Sequence, residues 1–120
     1  MRLSRFELQV LDVLWTLREG SVRQVQDALA ERSPAYTTVQ TIVLRLEAKG
    51  AVKRVGKSGN AFVFAPTVSK KSVIRRLLGE LLDLVGGSPQ PLVAHMLESG
   101  QLTIEDLRAI EAPPKKARRK

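Results

Sequence analysis

The hydrophobic period of this chain changes at Gly50, and that change restricts the fold more than any other feature. Before it, apolar residues recur at helical spacing, and the clearest stripe, at i, i+3, i+4 and i+7, is Val39, Ile42, Val43 and Leu46. After it, residues 51–55 and 61–65 have the character of strands, separated by the turn-forming residues 56–60. The pattern therefore predicts helices followed by a β-hairpin.

Short capping motifs predict where the helices begin and end. Ser4 and Glu7 have the spacing at which a hydroxyl and a carboxylate cap a helix start reciprocally, and Ser21 and Gln24 repeat it. The first helix should run to about residue 17. The second should stop near residue 32, because the Ser-Pro pair that follows disfavours helical geometry. A third helix is expected from residue 35 or 36 to 49, closed by Gly50.

The first helix is apolar on two sides, and such a helix is expected to be buried on both. One side is made of Phe6, Val10, Val13, Leu14 and Leu17, and the other of Leu8, Leu11 and Trp15. We predict that one side packs on its own domain and the other on a second layer or a second subunit. The second helix should direct four residues inward, namely Val22, Val25, Ala28 and Leu29.

Positive charge is concentrated in one part of the chain. The formal net charge is +8, but residues 33–71 alone carry +6, with Glu47 as their single acid, and residues 72–114 carry −3. Positive charge clustered on one surface is typical of proteins with an anionic polymer as partner. The block therefore favours nucleic acid, although a solvated basic face that binds nothing would look the same.

Three helices followed by a hairpin are the element order of a winged helix-turn-helix domain. We predict a mostly α fold with a small β-hairpin, in which a winged helix-turn-helix DNA-binding domain precedes a C-terminal helical dimerisation region. The predicted boundaries are 1–68 for the winged helix, 69–112 for the helical region and 113–120 for a disordered basic tail.

The third helix is the candidate recognition helix, because the arc opposite its apolar stripe is small, hydroxyl-bearing and cationic. Thr and Arg side chains can read base edges in the major groove, and hairpin cations can contact phosphates. The predicted DNA-binding residues are Thr37, Thr38, Gln40, Thr41, Arg45, Lys49, Lys53, Arg54 and Lys57. Two alternatives stay open, an ordinary solvated helix face and charge that protects an edge strand.

The leucine-rich helical region after residue 69 has an apolar face too large for a small appendage, so we predict that it forms a homodimer. The predicted dimerisation residues are Leu77, Leu78, Leu81, Leu84, Leu92, Val93, Met96, Leu97, Leu107 and Ile110. Packing of this face back onto the first helix is the alternative.

Several segments in their order resemble the penicillinase repressor family of BlaI/MecI type. They are "ELQVLDVLW", "SVRQV", "AYTTVQTIVLRLEAKG", "FVFAP" and "GGSPQPLVAHMLESGQLTIEDLRAIE", which together span about residues 4–111. The resemblance implies a homodimeric repressor of transcription on a palindromic double-stranded DNA operator, and we expect a cytoplasmic location by default. It also implies relief by proteolysis near His95 and Met96, with a sensor or regulatory protease as a further partner. The chain has no cysteine, so the copper-responsive branch of the family does not apply.

An enzyme is the weakest class for this chain. With one histidine, no cysteine and no glycine-rich phosphate loop, no nucleophile is paired with a base, and we expect neither a cofactor nor a metal. No apolar run is long enough to span a membrane, and the N-terminus does not resemble a signal peptide. The rival function is a winged-helix module that binds RNA or serves as a protein adaptor. Phe62 and Phe64 could stack single-stranded bases only if they point outward.

Overall fold

A computed structural model of the chain describes residues 2–111, so the predicted basic tail at 113–120 lies outside the described residues. The elements are α1 (Arg5–Leu17), α2 (Val22–Ala28), a 3-10 helix (Ala30–Arg32), α3 (Tyr36–Ala48), β1 (Val52–Ser58), β2 (Ala61–Pro66), α4 (Lys70–Leu84), α5 (Gln90–Glu98) and α6 (Ile104–Glu111). The chain divides into two compact units, the first ending at Arg76 and the second beginning at Leu77. The mostly α fold with a small hairpin is confirmed.

Both predicted capping boxes form. The Ser4 hydroxyl accepts the Glu7 N–H at 3.1 Å, and the Glu7 carboxylate accepts the Ser4 N–H at 2.6 Å. At the second box the corresponding distances between Ser21 and Gln24 are 3.2 and 2.9 Å. Four backbone N–H donors that the two helix starts leave unpaired are thereby satisfied, which fixes where α1 and α2 begin.

The core of the first unit is built from α1, α2, α3 and the hairpin. Its buried members are Val10, Leu11, Leu14, Val22, Val25, Val39, Ile42, Val43, Leu46, Ala51, Val52 and Phe64. All four residues of the predicted α3 stripe are among them. Burial of this one stripe determines that the opposite arc of α3 faces solvent.

The predictions for α1 and α2 need two corrections. Ala28 is exposed rather than inward. Each three-residue step on a helix falls about 60° short of a full turn, so the two steps from Val22 through Val25 carry Ala28 away from the core. Leu29 stays in line with Val22 and packs against the core. Leu17, the last residue of α1, is 41% exposed. On the other side of α1, Leu11 is buried in the core, and the Trp15 Nε1–H donates at 2.9 Å to the carbonyl of Val68, in the chain entering α4.

The hairpin is longer than its sequence suggests. β1 and β2 pair antiparallel, with Arg54 opposite Phe64 and Gly56 opposite Val63, so Val55 is the extra residue of a β-bulge. β1 was expected to end at Val55 with a five-residue turn, but it continues to Ser58. The bulge and Gly56 interrupt the alternation that marks a strand. Lys57 therefore lies on β1 and not in the turn.

A third short segment joins the hairpin. The Gly20 N–H donates to the Phe64 carbonyl at 2.9 Å, and the Phe64 N–H donates to the Gly20 carbonyl at 2.8 Å. The link between α1 and α2 is thus hydrogen-bonded to β2. The base of the hairpin is fixed to the helices by this bridge and by the burial of the Phe64 side chain.

The second unit exposes apolar surface on its own helices. Between Leu77 and Ile110 no residue is fully buried. The large apolar side chains that are more than a third exposed there are Leu77, Leu78, Leu81, Leu84, Val85, Val93, Met96, Ile104 and Ile110. Leu92, Leu97 and Leu107 are half-buried. Within residues 2–111 none of the helices has the length and hydropathy to cross a membrane.

Candidate nucleic-acid interface

The arc of α3 opposite the core is fully accessible. Thr37, Thr38, Gln40, Thr41 and Arg45 are all exposed, as are Leu44 and Ala48. The Thr41 hydroxyl donates to the Thr37 carbonyl at 2.9 Å, which leaves its methyl group and oxygen lone pairs facing solvent. Arg45 forms no ion pair with any described residue. The arc thus combines hydroxyls, an amide and a free guanidinium.

A groove of about 270 Å³ separates α3 from the hairpin. Its α3 wall is formed by Tyr36, Gln40 and Leu44, which lie four residues apart and therefore on one line of the helix. The facing residues are Asn60, Ala61, Phe62, Phe64 and Arg54, with Val22 from α2. The structure therefore brings Gln40 and Arg54 of the predicted set to one groove.

The hairpin cations are organised around an exposed aromatic ring. Phe62 is 41% exposed, whereas Phe64 is 3% exposed and belongs to the core. The Arg54 guanidinium carbon lies 4.2 Å from the centre of the Phe62 ring, and the Lys57 Nζ lies 4.9 Å from it. Both distances are within the range of attraction between a cation and a ring face. Lys53, the residue before Arg54 on β1, is also exposed.

Two of the predicted DNA-binding cations have acidic partners within the chain. The Lys49 Nζ lies 2.7 Å from the Glu7 carboxylate, and it also donates to the Arg2 carbonyl at 2.7 Å. The Arg54 Nε lies 2.8 Å from a Glu47 oxygen. These two cations are therefore less available to a phosphate than Lys53 and Lys57.

Glu7 is the one charged side chain of the described core, at 2% exposure. Burial alone raises the pKa of this carboxyl, but hydrogen bonds from Lys49 and Ser4 and the Lys49 charge outweigh it, so the net pKa lies below the ordinary value. Glu7 is consequently ionised at neutral pH. It joins the start of α1 to the end of α3.

Several residues of this surface were left out of the predicted DNA-binding set, although Phe62 was named under the rival function. Tyr36 and Phe62 flank the groove, and the Arg23 guanidinium of α2 lies 5.5 Å from the centre of the Tyr36 ring. The four-residue spacing of Tyr36 and Gln40 was a usable signal. A second usable signal was that Glu47 is the single acid of a basic block, where a cation is available to pair with it.

The comparisons with known proteins agree on one family. The family model described as "Penicillinase repressor" matches residues 3–113. "Transcriptional regulator BlaI" from two strains of Mycobacterium tuberculosis is 36% identical over 101 residues, which cover 81% of this chain and 72% of the relative.

Two solved structures are similar to this fold. The solution structure of the DNA-binding domain of the repressor BlaI has a TM-score of 0.51 at 33% identity and covers 57% of this chain and 84% of that one. The crystal structure of an E. coli MarR mutant has a TM-score of 0.56 at 18% identity and covers 91% of this chain and 73% of that one. The second similarity concerns the fold alone.

Proposed function

This chain belongs to the penicillinase repressor family, and from that premise we propose that it represses transcription by binding double-stranded DNA through its winged helix. The relatives it matches are transcriptional regulators and not enzymes. The observation that carries the proposal is the exposed arc of α3, with its hydroxyls and free Arg45, beside a cationic hairpin. Because such a protein acts on the chromosome, we place it in the cytoplasm.

Base reading is assigned to α3 and phosphate contacts to the hairpin. Arg45 has the reach and planar donors for a guanine edge, and the threonine methyl groups suit thymine. Lys53 and Lys57 are the phosphate contacts. The base-reading set is Thr37, Thr38, Gln40, Thr41 and Arg45. Lys49 and Arg54 support this surface, since each is already paired with a carboxylate of the chain.

We also propose a homodimer that acts on a palindromic operator, and the exposed apolar surface of the second unit supports it. Its helices α4, α5 and α6 leave a row of large apolar side chains exposed, including Leu78 at 51% and Leu84 at 82%. Exposed apolar surface of this kind is stabilised when a second copy covers it. Two-fold symmetry would then place two copies of α3 on two half-sites of opposite orientation.

Relief by proteolysis fits the position of the predicted cleavage point. His95 and Met96 lie in the middle of α5 (Gln90–Glu98), and both are exposed. The turn at this point is intact, because the Ser99 N–H donates to the His95 carbonyl at 2.9 Å. A regulatory protease must therefore open this turn before cutting. The cut separates α6 from α4 and so divides the apolar surface that the dimer uses.

Capture of genomic DNA by the full chain, followed by nuclease footprinting, tests the function. The proposal predicts enriched sites with two inverted half-sites, their centres one helical turn or a multiple of it apart. Capture without any enriched sequence would reject a sequence-specific repressor. Protection of a single half-site would leave DNA binding standing and reject the dimeric arrangement.

A further inference from the structure

We propose that Glu47, Arg54 and Phe62 form a bracket that fixes the hairpin at a defined position against α3, so that Arg54 is a positioning residue for DNA recognition. The inference rests on the proposed DNA-binding function. It assigns Arg54 a role different from that of Lys53 and Lys57, although all three are cations of the same strand.

The geometry of Arg54 joins three elements. Its Nε and Nη2 donate to the two Glu47 oxygens of α3, at 2.8 and 3.3 Å, as a fork. The face of the same guanidinium lies over the Phe62 ring of β2, 4.2 Å from its centre. A guanidinium can donate a two-point fork in its plane while its face lies on a ring, whereas an ammonium has neither the fork nor the planar face. Arg54 belongs to β1, and its side chain therefore contacts one residue of α3 and one residue of β2.

The bracket holds the hairpin where its exposed part begins. Residues 53–62 are all exposed, in contrast to the buried base at Val52 and Phe64. Among the described residues, the forked pair between Arg54 and Glu47 is the one side-chain hydrogen bond joining 53–62 to α3. The β-bulge at Val55 follows directly, so the strand changes direction just beyond the point where it is held. Positions further along the hairpin depend on this contact for their placement.

Removal of the Glu47 charge tests the proposal, because simple electrostatics and the bracket predict different results. Glu47 is the single acid in residues 33–71, so simple electrostatics predicts that its removal strengthens binding to every DNA. The bracket predicts that its removal weakens the preference for the operator over other DNA. Arg54→Lys separates the accounts again, because it keeps the charge and loses the fork and the planar face.

The experiment uses the full chain and measures affinity for a captured operator duplex and for a scrambled duplex of equal length, at several salt concentrations. Arg54→Lys should lower operator affinity by about tenfold, a size within the coupling range of contacting residues. Its affinity for scrambled duplex and its salt slope should stay as in the wild type. Glu47→Gln should lower the ratio of operator to scrambled affinity although it removes a negative charge.

Matched variants distinguish a loss of hairpin positioning from a loss of charge and from a loss of stability. Lys53→Gln, on the neighbouring cation, should weaken both duplexes equally and reduce the salt slope. Phe62→Leu should behave as Arg54→Lys does, and Phe62→Trp should restore operator preference because it retains a ring face. All bracket variants should melt within about 5 °C of the wild type, since partly exposed ion pairs contribute little to stability.

Two results overturn the bracket. One is an Arg54→Lys variant with wild-type operator affinity, and the other is a Glu47→Gln variant that tightens both duplexes equally. Either would make Arg54 an ordinary phosphate contact. Failure of the proposed function has a different signature, because the wild type itself would then bind operator and scrambled duplex with equal affinity.

Discussion

Glu7 serves two elements at once, since it caps α1 and holds Lys49 at the end of α3. Its capping role was predicted from the spacing to Ser4, and both hydrogen bonds of that box form. Its contact with Lys49 was not predictable, because the two residues are 42 positions apart in the chain. Local spacing indicates a cap, but only the packing of α1 against α3 shows that the same carboxylate is buried beside a cation.

Glu7→Gln should lower the free energy of unfolding by about 1 kcal/mol at neutral pH, because it removes the charge from a buried hydrogen-bonded group. Gln24 already fills the same position in the second capping box, so the cap itself should survive. Because the folded-state pKa of Glu7 is lowered, its contribution is present at neutral pH and is lost as the pH falls through that pKa.

Urea unfolding of both proteins between pH 7 and about pH 3 measures this effect. The two stabilities should converge at the acid end. A difference that stays constant over the whole range would show that the charge of Glu7 does not stabilise the fold.

Arg45 is the residue on which base reading depends most directly. Arg45→Ala should cost about 1–3 kcal/mol of operator binding if the guanidinium makes a bidentate base contact, and it should relax selectivity at one base pair. Titration of operators substituted at each position measures this. Arg108→Ala, on α6 of the second unit, removes the same charge and serves as the control. Equal loss on every sequence would make Arg45 a phosphate contact.

Element boundaries were predictable wherever a local chemical signal exists. Helices α1 and α2 begin directly after their capping serines, and α3 ends next to Gly50, which has a φ of +81°. The hairpin was predicted in place but not in length, because its bulge and Gly56 have no recognisable pattern before the register is known. The exposed residues of α3 were predictable from its buried stripe, whereas the acidic partners of Lys49 and Arg54 were not predictable from the sequence.

The exposed apolar face of α4 is the surface through which the proposed homodimer would form. Leu81→Lys should shift the protein toward monomer, because it places a charge on a face that a second copy would cover. Gly79→Lys adds the same charge elsewhere on the helix, and a Cβ there meets nothing within 4 Å, so this variant should stay dimeric. Sedimentation at micromolar concentration distinguishes the two. A clean monomer for the unmodified chain would contradict the dimer.

The total formal charge of +8 hides an uneven distribution of charge along the chain. The segment with +6 contains α3 and the hairpin, and the segment with −3 contains most of α4 together with α5 and α6. Attraction to DNA is therefore assigned to one part of the chain and association between copies to the other. Acidic groups on the second part limit its own attraction to phosphates.

Competition for a labelled operator duplex tests the central claim most directly. The unmodified chain is challenged with unlabelled operator, scrambled duplex, the separate single strands and RNA of the same sequence. We predict that the operator duplex displaces the label and that scrambled duplex requires about 10³-fold more. Single strands or RNA that compete as well as the operator duplex would contradict DNA recognition by α3 and favour a single-strand or RNA-binding module.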